Sequence, residues 1–210
     1  NVNGVNSNDY AIYVENLNQA SVLIENCHID QGTGIAKDGI FLSSAADIEL
    51  RGNTIRNFSR RGVSIGSSVM PKIIDNIITE NLEGIYSIRD DGIYQGNSIF
   101  GNTDHGFRYI GSGLVNAINN YWGDPTGPLD DSDDRATGGL YNPGGLGDRV
   151  SDRVLYEPWL SAELPDGPLE IVATPMNLDV NEGGTVTFDV KLSGPPSEET
   201  LINLTVTGDG

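Results

Sequence analysis

The residues best suited to chemistry in this chain are carboxylates, and they fall into two groups. Asp90-Asp91-Gly92 sets two carboxylates side by side, and Asn102-Thr103-Asp104-His105-Gly106 follows shortly after. If the intervening chain forms one turn of a stacked fold, residues one turn apart stand roughly 5 Å from each other. Asp90, Asp91, Asp104 and His105 are then candidate catalytic residues, since paired carboxylates at such a separation can act on a glycosidic bond. Asp, Asn and Gly also dominate ordinary turns, which is the simpler reading of the same residues. The second group is Asp124 followed by Asp130-Asp131-Ser132-Asp133-Asp134. Hard oxygen ligands at short spacing suit Ca²⁺, so Asp130, Asp131, Asp133 and Asp134 are candidate metal ligands with calcium as the cofactor. The spacing is not that of an EF-hand. A solvated acidic loop is the competing reading, because clustered carboxylates repel unless neutralised or hydrated.

Other side chains carry weaker signals. Arg51, Arg56, Arg60 and Arg61 cluster within one stretch. Guanidinium groups match a uronate carboxylate in geometry, and pairing with Asp47 and Glu49 is the plainer alternative. Tyr86, Tyr94 and Tyr109 recur at neighbouring turns. Facing outward they would stack on sugar rings; facing inward they are core, and the register places Tyr94 and Tyr109 inside. Cys27 reads as a buried core thiol, with no electropositive neighbour to activate it. His28 reads as a solvated or turn residue. Asn57-Phe58-Ser59 and Asn203-Leu204-Thr205 match the glycosylation sequon.

The elements that must position these residues are legible as a repeat. Five segments carry a Gly or Ala, a large residue, any residue, and a second large residue. The first large positions are Ile12, Ile40, Val63, Ile85 and Phe107; the second are Val14, Leu42, Ile65, Ser87 and Tyr109. A further ladder reads Ile24, Leu50, Ile73, Tyr94, Ala117, followed by Cys27, Asn53, Asn76, Asn97, Asn120, then Ile29, Ile55, Ile78, Ile99, Trp122. The spacings run from 21 to 28 residues, a period that signals stacked coils. No helical spacing is sustained, so each coil is a set of short strands joined by turns. One coil cannot bury its own apolar side, so like residues stack over like. The Asn column fits a turn, where Asn tolerates the left-handed backbone and its amides bond along the stack. The expected fold is all-β: a right-handed parallel β-helix of about five coils.

Bulk composition narrows the partners. The 210 residues carry 30 acidic and 12 basic side chains, a formal net charge of −18. That balance excludes the basic footprint nucleic acid requires and opposes adhesion to anionic membranes. No apolar run reaches membrane-spanning length, so no membrane insertion is expected. The single cysteine excludes an internal disulfide. The chain is read as an excised or mature segment of a longer extracellular protein.

The repeat breaks at Asn119-Asn120-Tyr121-Trp122-Gly123-Asp124-Pro125-Thr126-Gly127-Pro128, where prolines and glycines cannot continue a ladder. With Gly147-Asp148-Arg149-Val150-Ser151-Asp152 and Pro158-Trp159-Leu160, this run resembles the C-terminal end of bacterial and archaeal right-handed parallel β-helix repeat proteins. The resemblance implies a capped β-helix over residues 1–160. It is silent on activity, because such proteins include adhesins, surface-layer components and polysaccharide-active enzymes. The match to polygalacturonase motifs is superficial: the order of the two acidic elements is reversed here, and the Gly-His-Gly and Arg-Ile-Lys elements are missing.

Residues 161–168 read as a linker. Beyond it, Thr185-Val186-Thr187-Phe188-Asp189-Val190-Lys191-Leu192 alternates strictly, and Ile202, Leu204 and Val206 do likewise. Residues 169–210 thus resemble the opening strands of a Calx-β-like or immunoglobulin-like β-sandwich, too short to close one. Open strands of this kind offer a route to self-assembly. The functional expectation is a non-catalytic extracellular module of a surface, adhesive or filament-forming protein, with a polysaccharide or cell-surface partner. The alternative is a fragment of a polysaccharide lyase, epimerase or glycoside hydrolase.

Overall fold

The computed structural model describes residues 10–15, 21–34, 36–163, 171–174 and 189–192. The first coil holds β1 (Tyr10–Glu15), β2 (Ser21–Glu25) and β3 (His28–Asp30). The second holds β4 (Asp38–Arg51) and β5 (Thr54–Arg56), and the third β6 (Arg61–Ile74) and β7 (Ile77–Thr79). The fourth has β8 (Glu83–Ser87), β9 (Ile93–Gln95) and β10 (Ser98–Phe100), and the fifth β11 (His105–Tyr109) and β12 (Val115–Asn116). All pairing between coils is parallel. One sheet runs β1-β4-β6-β8-β11, a second runs β3-β5-β7-β10, and β2 and β9 flank the second halves of the long strands β4 and β6. The result is a parallel β-solenoid of about five turns.

The expected ladders are in register. Ile12, Ile40, Val63, Ile85 and Phe107 pair in succession, as do Val14, Leu42, Ile65, Ser87 and Tyr109. Ile29, Ile55 and Ile78 align with Ile99. From the second coil onward these side chains are at most 5% exposed and form one core. Tyr94 and Tyr109 lie inside. Tyr94 crosses Phe107 edge-on at 4.9 Å, and its hydroxyl reaches the Ser87 hydroxyl at 3.1 Å. Ser87 is thus the small residue that makes room for a large neighbour in the same layer.

The Asn column is a continuous hydrogen-bond ladder. Asn53 donates its backbone N–H and its Nδ2 to Asn76 Oδ1, at 3.0 and 2.9 Å. Asn76 does the same to Asn97 at 3.0 Å, and Asn97 to Asn120 at 2.9 Å. Each amide also donates to a main-chain carbonyl at the same corner, such as Asn76 Nδ2 to Leu50 O at 2.9 Å. The left-handed backbone expected of these asparagines sits one residue earlier, at Asn26, Gly52, Asp75, Gly96 and Asn119. The division of labour is physical: one residue turns the chain, and the next satisfies the carbonyls and amides that the turn would strand in the core. Cys27 departs from expectation. It is exposed, with its Sγ near Glu25 O at 3.2 Å, because no described coil lies beneath it.

A second ladder stands at the next corner. Phe58 N donates to Asn81 Oδ1, Asn81 to Asn102 Oδ1, and Asn102 to Asp148 Oδ2, at 2.8 to 3.1 Å. Its left-handed positions are Asn57, Glu80 and Gly101. The repeated glycine before each inward ladder leaves space for this corner. A Cβ on Gly84 would lie 2.6 Å from Gly106 O and 2.9 Å from Asn102 Nδ2.

After Trp122 the chain leaves the coil and folds over the fifth turn. β13 (Pro128–Leu129) pairs with β14 (Gly147–Arg149), and β15 (Val154–Leu155) extends β12. Val150 bridges to Phe107, and Trp122, Val150, Val154 and Tyr156 join the solenoid core. Chain contacts separate Asn1–Pro168 from Leu169–Gly210. In the second unit, β16 (Ile171–Thr174) and β17 (Asp189–Leu192) form an antiparallel pair. The rest of the expected sandwich, including Ile202, Leu204, Val206 and the second sequon, lies outside the described residues.

Asn76→Leu strips acceptors from Asn53 and a donor from Leu50 in the core. It is expected to destabilise the solenoid by roughly 1–3 kcal/mol for each polar group left unpaired. Urea unfolding of the variant with an unchanged midpoint would contradict the ladder's role.

Candidate functional site

The outward positions of the first sheet form the most developed surface. Between the two inward residues of each coil stands one outward residue: Tyr13, Phe41, Ser64, Tyr86 and Arg108, aligned by strand register. Tyr10 joins the first of these. Its ring stacks on Phe41 at 4.8 Å and 16°, and Tyr13 tilts against both rings at 5.6 and 5.7 Å. Further along, the Arg61 guanidinium covers the Tyr86 ring at 3.5 Å. The three aromatic rings of the cluster are partly exposed. At about 4.8 Å per coil, the row from Tyr13 to Arg108 is roughly 19 Å long.

A second row runs beside it: Tyr10, Asp38, Arg61, Glu83 and His105. Its charges are matched across coils. Arg60 holds Asp38 with two bonds at 2.6 and 2.9 Å. Glu83, 4% exposed, receives Arg61 at 3.0 Å and Arg108 at 2.6 Å. Asp104 Oδ2 lies 3.1 Å from His105 Nδ1 and 3.6 Å from Arg108.

The structure does not bring the two catalytic candidate pairs together. Asp104 and His105 stand over Leu82 and Glu83 at the start of β11. Asp90 lies against Gly113, beyond the far end of that strand. A five-residue strand separates the two places by roughly 13 Å at 3.3 Å per residue. Asp91 is clasped by Arg89, Nε to Oδ1 at 2.9 Å, which holds its carboxyl below the usual range. Asn102, the first residue of the motif that contains Asp104, belongs to the second corner ladder. The interval from Asn81 to Asn102 was the available signal, hidden because Phe58 fills the preceding position.

The arginine cluster is spent on pairing. Arg51 meets Glu49 at 2.6 Å and Asp75 at 3.3 Å, and Arg56 meets Asp30 at 2.8 Å. Asp47 pairs with Lys72 at 3.2 Å. Asp30 accepts from Asn57, the Gly32 amide and Arg56, and its pKa falls to about 2. His28 is exposed, 3.7 Å from Asp30.

The acidic loop also divides. Asp131 pairs with Arg149, and Asp133 receives Arg135 at 2.7 and 2.8 Å. Asp130 and Asp134 turn inward. Asp130 accepts from the Tyr156 hydroxyl at 3.0 Å, Asp134 accepts from the Arg153 amide, and each keeps one buried Oδ1 without a partner. The four carboxylates therefore share no coordination centre, and no group of three or more metal-binding side chains occurs among the described residues. Burial pushes Asp130 up to about 6, against the pull of the Tyr156 bond, and the nearby Asp134 charge adds to the rise. Burial likewise pushes Asp148 up to about 6, opposed by the Asn102 amides.

A family model described as the right handed beta helix region matches residues 1–121. The chain belongs to that family. No curated protein and no solved structure gives a match. In this right-handed β-helix the match covers the coils and both Asn ladders up to Tyr121, and it ends where the chain leaves the repeat. No described helix is long and apolar enough to cross a membrane. The aromatic row on the outer face went unread in the sequence. Its signal was the slot between the two large positions of each repeat, which holds Tyr13, Phe41 and Tyr86.

Asp148 ends the second ladder as a partly buried acceptor. A carboxyl whose pKa rises on folding, here from 3.8 to about 6, adds stability below pH 4 that is lost as pH climbs through 6. Asp148→Asn keeps an acceptor oxygen and removes the charge. Its melting temperature relative to the parent is expected to shift in the variant's favour between pH 4 and pH 7. Parallel pH profiles for the two proteins would refute an Asp148 that titrates in this range.

Proposed function

We propose that this right-handed β-helix is an extracellular or cell-surface module that binds a polysaccharide along the outer face of its longest sheet without cleaving it. The observation that carries the reading is an aromatic cluster: Tyr13 and Phe41 stand on adjacent coils with Tyr10 beside them, and Tyr86 continues their line two coils on, past Ser64 and beneath Arg61. Aromatic faces favour the apolar faces of sugar rings, and their hydroxyl tips stay wet. From Tyr13 to Tyr86 the line spans three coil rises, roughly 14 Å, and such a narrow row suits an extended polymer better than a compact ligand. The neighbouring arginines are engaged by Asp38, Glu83 and Asp104, and the net charge is −18. Both favour a neutral polymer over a uronate. The carboxylates of this face are held by guanidinium groups, which supports binding over acid–base work. Residues 122–160 serve as the cap that closes the last coil, and the β16–β17 pair belongs to a following sandwich module.

The enzyme reading has one observation in its favour, the contact between Asp104 and His105 beside Glu83. One experiment separates the two. The protein is run in native gels containing a panel of neutral and acidic polysaccharides, and the same mixtures are analysed for chain length. Retardation by a neutral polymer without shortening is expected. The double variant Tyr13→Ala/Tyr86→Ala should lose about tenfold or more in affinity, as two stacking contacts of ~1 kcal/mol each imply. Retention of affinity in that variant would reject the row as the binding face. Shortened or unsaturated products, abolished by His105→Ala, would replace binding with catalysis.

A further inference from the structure

The segment that folds over the fifth coil contains a cavity of about 380 Å³, lined by Arg135, Tyr141, Asn142, Tyr156, Glu157 and Trp159 among others. It lies apart from the aromatic row and shares no residue with it. Tyr141 and Trp159 supply its accessible aromatic walls, and Tyr156, 2% exposed, lines it as part of the core. Tyr156 and Trp159 stand 6.2 Å apart with planes inclined at 47°, and both are fixed from behind. The Tyr156 hydroxyl is tied to Asp130, and Trp159 Nε1 donates to Pro125 O at 3.0 Å. Tyr141 is 41% exposed and stands under the Arg135 guanidinium at 5.0 Å. Arg135 is itself held by Asp133. Asn142 is held by its Nδ2, which donates to Thr126 O at 3.0 Å and Pro128 O at 2.8 Å. Glu157 is exposed and makes no hydrogen bond or ion pair with a described residue. Rigid aromatic walls with a few fixed polar groups are the usual make-up of a small-ligand site of this size.

We propose that this cavity is a second binding site, for a single neutral pyranose ring such as the end of a glycan chain. The chemistry of the lining selects that class. Aromatic walls take the apolar face of a ring, and the unengaged Glu157 carboxylate accepts from ring hydroxyls. A fully apolar ligand would leave Glu157 desolvated without a partner. A phosphate or uronate would meet the Glu157 carboxylate, with Arg135 already neutralised by Asp133. The site goes beyond the polysaccharide row and stands or falls independently of it.

The test uses the whole chain and a panel of methyl pyranosides: glucoside, galactoside, mannoside, N-acetylglucosaminide and glucuronide. Binding is read by saturation-transfer NMR and by tryptophan fluorescence. Trp122 is fully buried, so Trp159 reports the site. At least one neutral glycoside should bind with a dissociation constant on the order of millimolar, as expected for one ring on two or three contacts. Tyr141→Ala and Glu157→Gln should each weaken it by about fivefold or more, with unchanged melting temperatures. Tyr13→Ala/Tyr86→Ala should leave it intact while abolishing polymer retardation. Absence of binding by every neutral glycoside, stronger binding of the glucuronide, or unchanged affinity in Tyr141→Ala would overturn the proposal.

Discussion

Everything in this solenoid depends on satisfying the main chain at two buried corners. A coil that turns around an apolar core strands amides and carbonyls where water cannot reach them, and each such group left alone costs on the order of 1–3 kcal/mol. The two columns of Asn53, Asn76, Asn97, Asn120 and of Asn81, Asn102, Asp148 answer that constraint. Each side chain bonds the next coil through its own amide and through the adjacent backbone. The ladders therefore fix the register of neighbouring coils as well as their turns. A shift by one residue would break every bond in a column and turn the inward ladders out.

Once register is fixed, the outer faces are fixed too. The slot between Ile12 and Val14 in the first coil aligns with those between Ile40 and Leu42 and between Ile85 and Ser87. Aromatic residues in those slots become one row. The same alignment places Asp38, Arg61 and Glu83 in succession, so ion pairs form between coils instead of along strands. These pairs sit at partly buried positions and add cross-coil contacts at an otherwise acidic surface. Their effect here is to occupy the cations, and since Arg61 lies over the Tyr86 ring, the uncovered rings of this face are Tyr10, Tyr13 and Phe41.

The end of the stack is handled differently. Residues after Trp122 cannot repeat, yet they reproduce what a sixth coil would offer: Val150 over Phe107, Val154 beside Val115, and Asp148 in the place of the next Asn. Substituting a carboxylate for an amide at that last place leaves a partly buried acid with its pKa pushed up to about 6 by desolvation. The irregular path also forms the partly open cavity beside Tyr141 and Trp159.

The sequence by itself determined the solenoid. A period of 21 to 28 residues with recurrent Ile and Asn admits one arrangement, because a coil with one apolar side must stack, and stacked identical residues must face the same way. It also carried the inward place of Tyr94 and Tyr109, and the break at Trp122. Only the tertiary structure decided which carboxylates meet which arginines, since Arg61 with Glu83 and Arg149 with Asp131 are joined across coils or loops whose lengths vary. It separated Asp90 from His105, because the interval between them is shorter than one coil and so places them toward opposite ends of β11 instead of one above the other. It exposed Cys27, whose column position is buried only where another coil covers it. It split the acidic loop into paired and buried members, because loop side chains without a period take whatever partner the fold brings within reach. A repeat transmits structure through sequence; a site made by juxtaposing non-repeating residues does not.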